Sequence, residues 1–255
     1  DELKRTTASK ERIESELRIA REIQMGMVPK IFPPFPERDD VDLYAKLIPA
    51  KEVGGDLYDF FIEGSKFYFI VGDVSGKGVP ASLVMAVTCS LFRTVSAHFQ
   101  TPAEIVTALN DALAESNESN MFCTFFIGIL DLESGHLQYC NAGHNAPVIL
   151  SPSGEVKFME VEANLPLGLF GGFPYQGQEC TIEKDTSIFL YTDGVTEAEN
   201  VEKALYSDER LLQQLEKLQK ETPNAMVDGV LVDIESHVAE AEQSDDITIM
   251  CLHYK

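Results

Sequence analysis

The residues best suited to chemistry in this sequence are aspartates at the edges of apolar runs. They are Asp56 in GGDLYD, Asp73 in VGDVSGKG, Asp193 in YTDGVTE, and the pair Asp245 and Asp246 in SDDITIM. A carboxylate at the end of a buried strand is costly unless a counter-charge stabilises it. For Asp73, two candidates could supply that charge: a nearby base such as Lys77, or a metal ion.

Any one of these aspartates alone would most often be a turn residue, because Asp-Gly is a common turn signal. Several such positions in one chain favour a shared role. Clustered carboxylates repel one another, and hard divalent cations commonly hold them together. Oxygen ligands without His or Cys select magnesium or manganese over zinc, so the sequence predicts a site for one of those metals.

The composition argues against a nucleic-acid partner, a disulfide framework and a zinc site. The 255 residues include 20 Lys and Arg against 42 Asp and Glu, which gives a net charge of −22. Nucleic-acid binding depends on basic patches, so this balance argues against a nucleic-acid partner. The five cysteines are odd in number and form no CxxC pair, which predicts neither a disulfide framework nor a zinc site.

The sequence also predicts the compartment in which the protein is found. No fully apolar stretch reaches the roughly 20 residues that span a bilayer, and no signal peptide heads the chain. Because the first residue is Asp and not Met, we expect a piece of a longer protein. We expect it to be cytoplasmic, or to be the cytoplasmic end of a membrane-anchored sensor.

Residues 1–36 differ from the rest and are predicted to form a helical, coiled-coil-like linker. One face of this helix carries both polar and apolar residues. The polar residues are Thr6, Lys10 and Gln24, and the apolar residues are Ile13, Leu17, Ala20 and Met27. Pro29 and the PPFP segment then end the helix. Two interpretations stay open: a signalling helix that pairs with a second copy over residues 1–28, and an amphipathic helix that packs on its own domain.

Residues 37–255 are predicted to form one α+β domain that positions the aspartates. Strand-like runs cover 41–48, 57–62, 66–73, 122–131, 136–140, 146–150, 187–192 and 246–253. Two helical blocks lie between them, with buried faces predicted at Leu83, Val87, Leu91, Val95 and Phe99, and at Leu211, Leu212, Leu215 and Leu218. This order favours an αββα sandwich, with two antiparallel sheets flanked by pairs of helices, over a parallel doubly wound sheet.

Several motifs together resemble a known family. PAKEVGGDLYDF, VGDVSGKGVPASLVM, MFCTFFIGILD, CNAGHNAP, LPLGL, IFLYTDGVTEA and SDDITIM look like the PPM-type (type two C) serine/threonine phosphatases, and more narrowly like the bacterial SpoIIE/RsbU group. LRIAREIQMGMVPKIFP resembles the helical linker that precedes that domain. The resemblance implies the same αββα sandwich, with the metal ions between the two sheets.

The resemblance also implies a set of site residues. Asp73 would bridge two Mn²⁺ or Mg²⁺ ions, and the carbonyl of Val74 would complete one of them. Asp56 would serve the second metal, and Asp193 and Asp245 would hold the first, with Asp246 as an additional candidate ligand. A metal-held water would then attack phosphorus, which agrees with the lack of a convincing Ser or Cys nucleophile in this chain.

Two departures from the eukaryotic relatives affect the expected chemistry. Where those enzymes have a DGH segment, this chain has Asp73, Val74 and Ser75, so a metal-bound water is the expected acid. Lys51 takes the place of their phosphate-clamping Arg; it attracts phosphate as a point charge but lacks the bidentate fork. His144 in CNAGHNAP is expected to make structural hydrogen bonds.

Three function classes follow. The first is a metal-dependent protein phosphatase acting, by resemblance, on a phosphorylated STAS-type anti-sigma-factor antagonist under the control of an upstream sensor or a HAMP-like module. The second is a regulatory binding module of the same fold without turnover, against which the intact aspartates argue. The third is a two-metal nuclease, against which the net charge argues.

Overall fold

The computed structural model of the protein describes residues 2–115 and 117–255, without the side chains of residues 2–5 and Ala8. The helices are α1 (Glu2–Met27), α2 (Val79–Ser96), α3 (Pro102–Glu115), α4 (Asp193–Thr196), α5 (Asp208–Leu218) and α6 (Pro223–Val238). The strands are β1 (Val41–Ile48), β2 (Leu57–Glu63), β3 (Lys66–Val74), β4 (Cys123–Asp131), β5 (His136–Ala142), β6 (Val148–Leu150), β7 (Val156–Phe158), β8 (Gln178–Thr181), β9 (Thr186–Tyr191) and β10 (Ile247–Tyr254).

The strands form two antiparallel sheets of five. One has the order β1-β10-β9-β6-β7 and the other β2-β3-β4-β5-β8. The last strand of the chain pairs with the first over its whole length, from Val41 opposite Tyr254 to Ile48 opposite Ile247. Helices α2 and α3 contact the second sheet, and α5 and α6 contact the first. The predicted αββα sandwich is therefore confirmed.

Two hydrophobic cores hold these layers together. The larger joins both sheets with α2 and α3, and its fully buried side chains include Phe67, Phe69 and Phe126. The smaller lies between the first sheet and helices α5 and α6, where Leu211 and Leu215 are buried as predicted and Leu212 and Leu218 pack at its edge. Burial of this apolar surface is the main stabilising contribution to the sandwich.

The buried face predicted for α2 is wrong at three of its five positions, whereas Leu91 and Val95 are partly buried against the larger core. Leu83 and Val87 are 62% and 50% exposed, and Phe99 beyond the helix is 38% exposed. The face that meets the sheet carries Ala81, Met85, Thr88, Cys89, Phe92 and Ser96. This helix is apolar around most of its circumference, so a spacing of four residues could not identify the inner face.

Helix α2 also has the length and composition of a membrane-spanning helix, a property that many core helices share. In this fold Arg93 on α2 donates hydrogen bonds to both carboxylate oxygens of Asp59, each 2.5 Å away, and its guanidinium lies over the ring of Phe61. These contacts fix α2 to β2. Strands β7 and β8 lie outside the predicted runs, because segments of only three or four residues are too short for a pattern to identify.

The second half of α1 packs on the domain, as the second interpretation of the linker predicts. Leu17 and Ala20 are half-buried and Gln24 is 6% exposed, whereas Ile13 on the same face is 55% exposed. Beyond the helix, Val28 is buried, and the rings of Phe32 and Phe35 pack on Tyr44, Phe60 and Phe67. The boundary at residue 36 between linker and domain stays a prediction.

Candidate active site

Both sheets contribute aspartates to one region of the sandwich. Asp56 directly precedes β2, and Asp73 is the next-to-last residue of β3, beside it in the second sheet. Asp193 begins α4 two residues after the end of β9, and Asp245 lies two residues before β10, the neighbouring strand of the first sheet. Their charges act on one another: those of Asp193 and Asp245 reach Asp73, and that of Asp73 reaches Asp56.

Asp56 is held in place by two threonine hydroxyls from the opposite sheet. It is 2% exposed, and its Oδ2 accepts hydrogen bonds from Thr192 Oγ1 at 2.7 Å and Thr248 Oγ1 at 2.6 Å. Thr192 follows β9 and Thr248 belongs to β10, and the N–H of Thr192 donates to the carbonyl of Thr248 at 3.0 Å. The pairing of these two strands therefore sets the spacing of the hydroxyls around Asp56.

Without a bound cation, the aspartates of this site do not readily ionise together. Burial, followed by the charge of Asp73, raises the pKa of Asp56 well above its usual range. Burial, followed by the charges of Asp193 and Asp245, raises the pKa of Asp73 to about 7. Burial and the charge of Asp245 also raise the pKa of Asp193. Each shift disfavours the ionised form, and a bound cation would reverse it.

The donor set suits a hard divalent cation. It consists of carboxylate oxygens and the carbonyl of Val74, which magnesium and manganese prefer. That carbonyl faces Gly55, where a Cβ would lie only 2.6 Å from the oxygen, so only glycine permits this close approach. Within residues 2–115 and 117–255, no three His, Cys, Asp or Glu side chains are arranged to hold an ion as they stand. The carboxylates would have to draw closer around the metal.

Asp245 and its neighbour Asp246 face different surroundings. Asp245 Oδ2 lies 2.7 Å from Lys77 Nζ, and the hydrogen bond between them raises the pKa of Lys77. Lys77 thus pairs with Asp245 and not with Asp73, the partner considered from the sequence. Both oxygens of Asp246 accept backbone N–H groups, from Ala50 at 2.7 Å and Gly55 at 2.9 Å. Asp246 therefore fixes the loop that leads to Asp56, and its role as a metal ligand stays a prediction.

The two remaining predicted residues lie in contrasting positions. Lys51 is exposed in the loop between β1 and β2, five residues before Asp56. His144 is 7% exposed, with Nε2 3.0 Å from the carbonyl of Tyr191 and Nδ1 2.9 Å from Thr124 Oγ1. Because a carbonyl only accepts, Nε2 carries the proton and Nδ1 accepts from the hydroxyl. Burial lowers the pKa of His144 to about 4, so a neutral histidine links the two sheets, as predicted.

The sequence analysis missed Thr192 and Thr248. Each stands in a quoted motif, directly before Asp193 in one case and two residues after Asp246 in the other. Their position beside acidic residues at strand ends was an available signal, since a buried carboxylate needs donors. The identity of their shared partner, Asp56, depends on strand pairing that no local pattern reveals.

Comparison with known proteins gives consistent matches. A family model described as Stage II sporulation protein E (SpoIIE) matches residues 63–255. The chain is 28% identical over 266 residues to protein IcfG of Synechocystis sp., covering 93% of this chain and 41% of IcfG. It is 26% identical over 245 residues to phosphoserine phosphatase RsbU of Bacillus subtilis, covering 95% of this chain and 71% of RsbU.

A solved structure shares the fold. The SiaA-PP2C domain of Pseudomonas aeruginosa superposes with a TM-score of 0.86 at 20% identity, covering 97% of this chain and 99% of that one. The chain therefore spans less than half of IcfG but nearly all of this domain. At 20% identity, this similarity shows only that the fold is shared.

Proposed function

Because the chain belongs to the SpoIIE family, we propose that it is a metal-dependent phosphatase that hydrolyses phosphoserine or phosphothreonine on a regulatory protein. The observation that carries this proposal is the meeting of Asp56, Asp73, Asp193 and Asp245 from both sheets, with the pKa of Asp73 raised to about 7. Burial of these carboxylates and their mutual repulsion would only destabilise the fold in a structural role, whereas two bound dications would relieve both effects.

The aspartates would divide the work of binding Mn²⁺ or Mg²⁺. Asp73 would bridge two ions, Asp193 and Asp245 would hold one, and Asp56 would serve the other, with the Val74 carbonyl as a further ligand. When bound, the metals activate water as the nucleophile and stabilise the charge that develops on the phosphoryl group.

The other residues of the site would orient these groups and the substrate. The hydroxyls of Thr192 and Thr248 fix Oδ2 of Asp56 and leave Oδ1 for other partners. The ammonium of Lys51, exposed in the loop between β1 and β2, would attract the substrate phosphate without the bidentate geometry of an arginine. His144 is engaged on both ring nitrogens and would not transfer protons.

The substrate is proposed to be a phosphorylated STAS-type protein. Its support is the motif resemblance to the SpoIIE/RsbU group and the similarity to RsbU, a phosphoserine phosphatase. The net charge of −22 disfavours a nucleic-acid substrate. A purified STAS-type domain carrying one phosphoserine is the direct probe.

The test measures inorganic phosphate released from that phosphoprotein, with Mn²⁺ and with a chelator, and nicking of supercoiled DNA in the same buffers. We expect Mn²⁺-dependent phosphate release and no nicking. Phosphate release from a phosphoserine peptide but not from the STAS-type domain would contradict the proposed substrate and support the proposed phosphatase activity. Mn²⁺ binding without any phosphate release would favour a binding module.

We further propose that residues 1–28 form a homodimer contact that regulates the site. The support is the exposed Ile13, which continues the face of Leu17 beyond the domain and forms an apolar surface that none of the described residues covers. Replacing both residues by Asp should give a monomer by light scattering, with an altered phosphatase rate and intact far-UV dichroism. A dimer that survives both substitutions would contradict this contact.

A further inference from the structure

A buried polar side chain lies near the C-terminal end of helix α1. Of the α1 side chains that the structure describes, only Gln24 is buried, with 6% exposure. Its Nε2 donates to the carbonyl of Gly54 at 2.5 Å, and its Oε1 accepts from the N–H of Gly54 at 3.2 Å. One amide thus satisfies both backbone groups of one residue, as a neighbouring strand would. A buried amide is stable only when it is matched in this way.

The partner residue lies in the loop that carries Asp56. Gly54 is two residues before Asp56, and a Cβ at Gly54 would lie 1.8 Å from Oδ2 of Asp246. The loop is held from that side by Asp246, which accepts the N–H groups of Ala50 and Gly55. Gln24 on one side and Asp246 on the other therefore clamp the backbone of residues 50–55.

The clamp reaches the proposed metal ligands on two strands. The carbonyl of Gly55 accepts the N–H of Val74 at 3.4 Å, and the carbonyl of Val74 lies against Gly55. Asp73 and Asp56 flank this junction. A shift of Gly54 would consequently move Asp56 and displace the Val74 carbonyl.

We propose that Gln24 is a positioning residue that couples α1 to the metal-binding loop. While α1 lies on the domain, its amide holds Gly54 in register and keeps Asp56 and the Val74 carbonyl in place. Rotation or withdrawal of α1 removes both hydrogen bonds and loosens residues 50–56. The inference rests on the proposed function, since it names the route by which the helix would act on that site.

Side-chain length makes the proposal specific. Asn is one methylene shorter, so its amide would not reach both backbone groups of Gly54. Leu keeps much of the volume but neither donates nor accepts. Glu keeps the acceptor, loses the donor and places a carboxylate against the carbonyl of Gly54. All three substitutions should loosen the loop although their hydrophobicity differs.

The experiment compares Gln24→Leu and Gln24→Asn with the wild-type chain. Amide exchange at Gly54 and Gly55 is measured by NMR without metal, and Mn²⁺ affinity is measured by calorimetry. Glu22→Leu is the matched control, because it places the same leucine at an exposed position of the same turn. Light scattering confirms that this control has not changed the oligomeric state.

We expect faster exchange at Gly54 in both Gln24 variants. We also expect Mn²⁺ binding to be weaker by about fivefold to tenfold, because the two hydrogen bonds of Gln24 act on the metal only through the loop. Glu22→Leu should change neither quantity. Unchanged exchange and unchanged Mn²⁺ affinity in Gln24→Asn would overturn the proposal, even if Gln24→Leu failed to fold.

The two readouts separate this inference from the proposed function. Suppose that exchange at Gly54 is faster in the Gln24 variants, while the wild type binds Mn²⁺ but releases no phosphate. This result would support the coupling and contradict the phosphatase activity. If exchange at Gly54 is unchanged in the Gln24 variants and the wild type is an active phosphatase, only the coupling is contradicted.

Discussion

Replacing Thr248 by Val should weaken metal binding without unfolding the protein. The change removes one of the two hydroxyls that donate to Oδ2 of Asp56 and keeps the shape of the side chain. Thr248 is the better target of the two, because Thr192 Oγ1 also accepts the N–H of Thr248 at 3.0 Å. Only the bond to Asp56 is lost in Thr248→Val.

The magnitude follows from the burial of Asp56. A hydrogen bond to a charged group contributes about 1.5–3 kcal/mol. Because Thr192 still donates to the same oxygen, we expect the lower end, about 1.5 kcal/mol, which weakens Mn²⁺ binding about tenfold. Without metal the loss is smaller, because the raised pKa of Asp56 favours the neutral carboxyl, which depends less on the donor.

Calorimetric titration with Mn²⁺ measures the affinity, and thermal unfolding without metal measures the stability. Thr248→Ser restores the hydroxyl and should restore the affinity. Thr88→Val is the matched control, since Thr88 is also fully buried but donates to Val84 within its own helix. Equal Mn²⁺ affinity in Thr248→Val and the wild type, or equal weakening in Thr88→Val, would refute the reasoning.

The remaining predictions concern pH and two lysines. Asp73 has a pKa of about 7 in the fold against an ordinary 3.8, so without metal it stabilises the fold at low pH, and that stabilisation is lost as pH rises through about 7. Mn²⁺ must displace this proton, so calorimetry should show a larger metal-induced rise in unfolding temperature at pH 8 than at pH 6; an equal rise would contradict the assignment. Lys77→Met removes a cation 2.7 Å from Asp245 and should strengthen Mn²⁺ binding about twofold to fivefold at low salt, because the pair is partly exposed; weaker binding would show that Lys77 supports the site. Lys51→Ala should raise KM or lower kcat/KM on a phosphoprotein at full metal occupancy; unchanged kinetics would make Lys51 an ordinary surface residue.

Strand positions were predictable from the sequence because apolar and β-branched runs mark buried strands. All eight predicted runs correspond to observed strands, including the last strand, which pairs with the first across most of the chain. The buried face of α2 was not predictable from spacing, because Leu83 and Met85 are equally apolar and only the packing decides which is buried.

The candidate site was predictable in part. The aspartates stand in recognisable motifs, so their residue types and positions indicated chemistry before any fold was known. Their supporting residues were hidden, because the contacts of Gln24 with Gly54 and of Thr248 with Asp56 join distant segments. A glutamine on an exposed helix looks like an ordinary surface residue until the helix is placed against the domain.

Phosphate release by Asp73→Asn tests the central claim most directly. A neutral amide cannot bridge two dications, yet its burial is less costly than that of a carboxylate, so the variant should fold at least as well as the wild type. At saturating Mn²⁺, we predict steady phosphate release from a phosphoserine protein by the wild type and none by Asp73→Asn. Release by the folded variant at a rate near that of the wild type would contradict the assignment of Asp73 and the metal centre built around it.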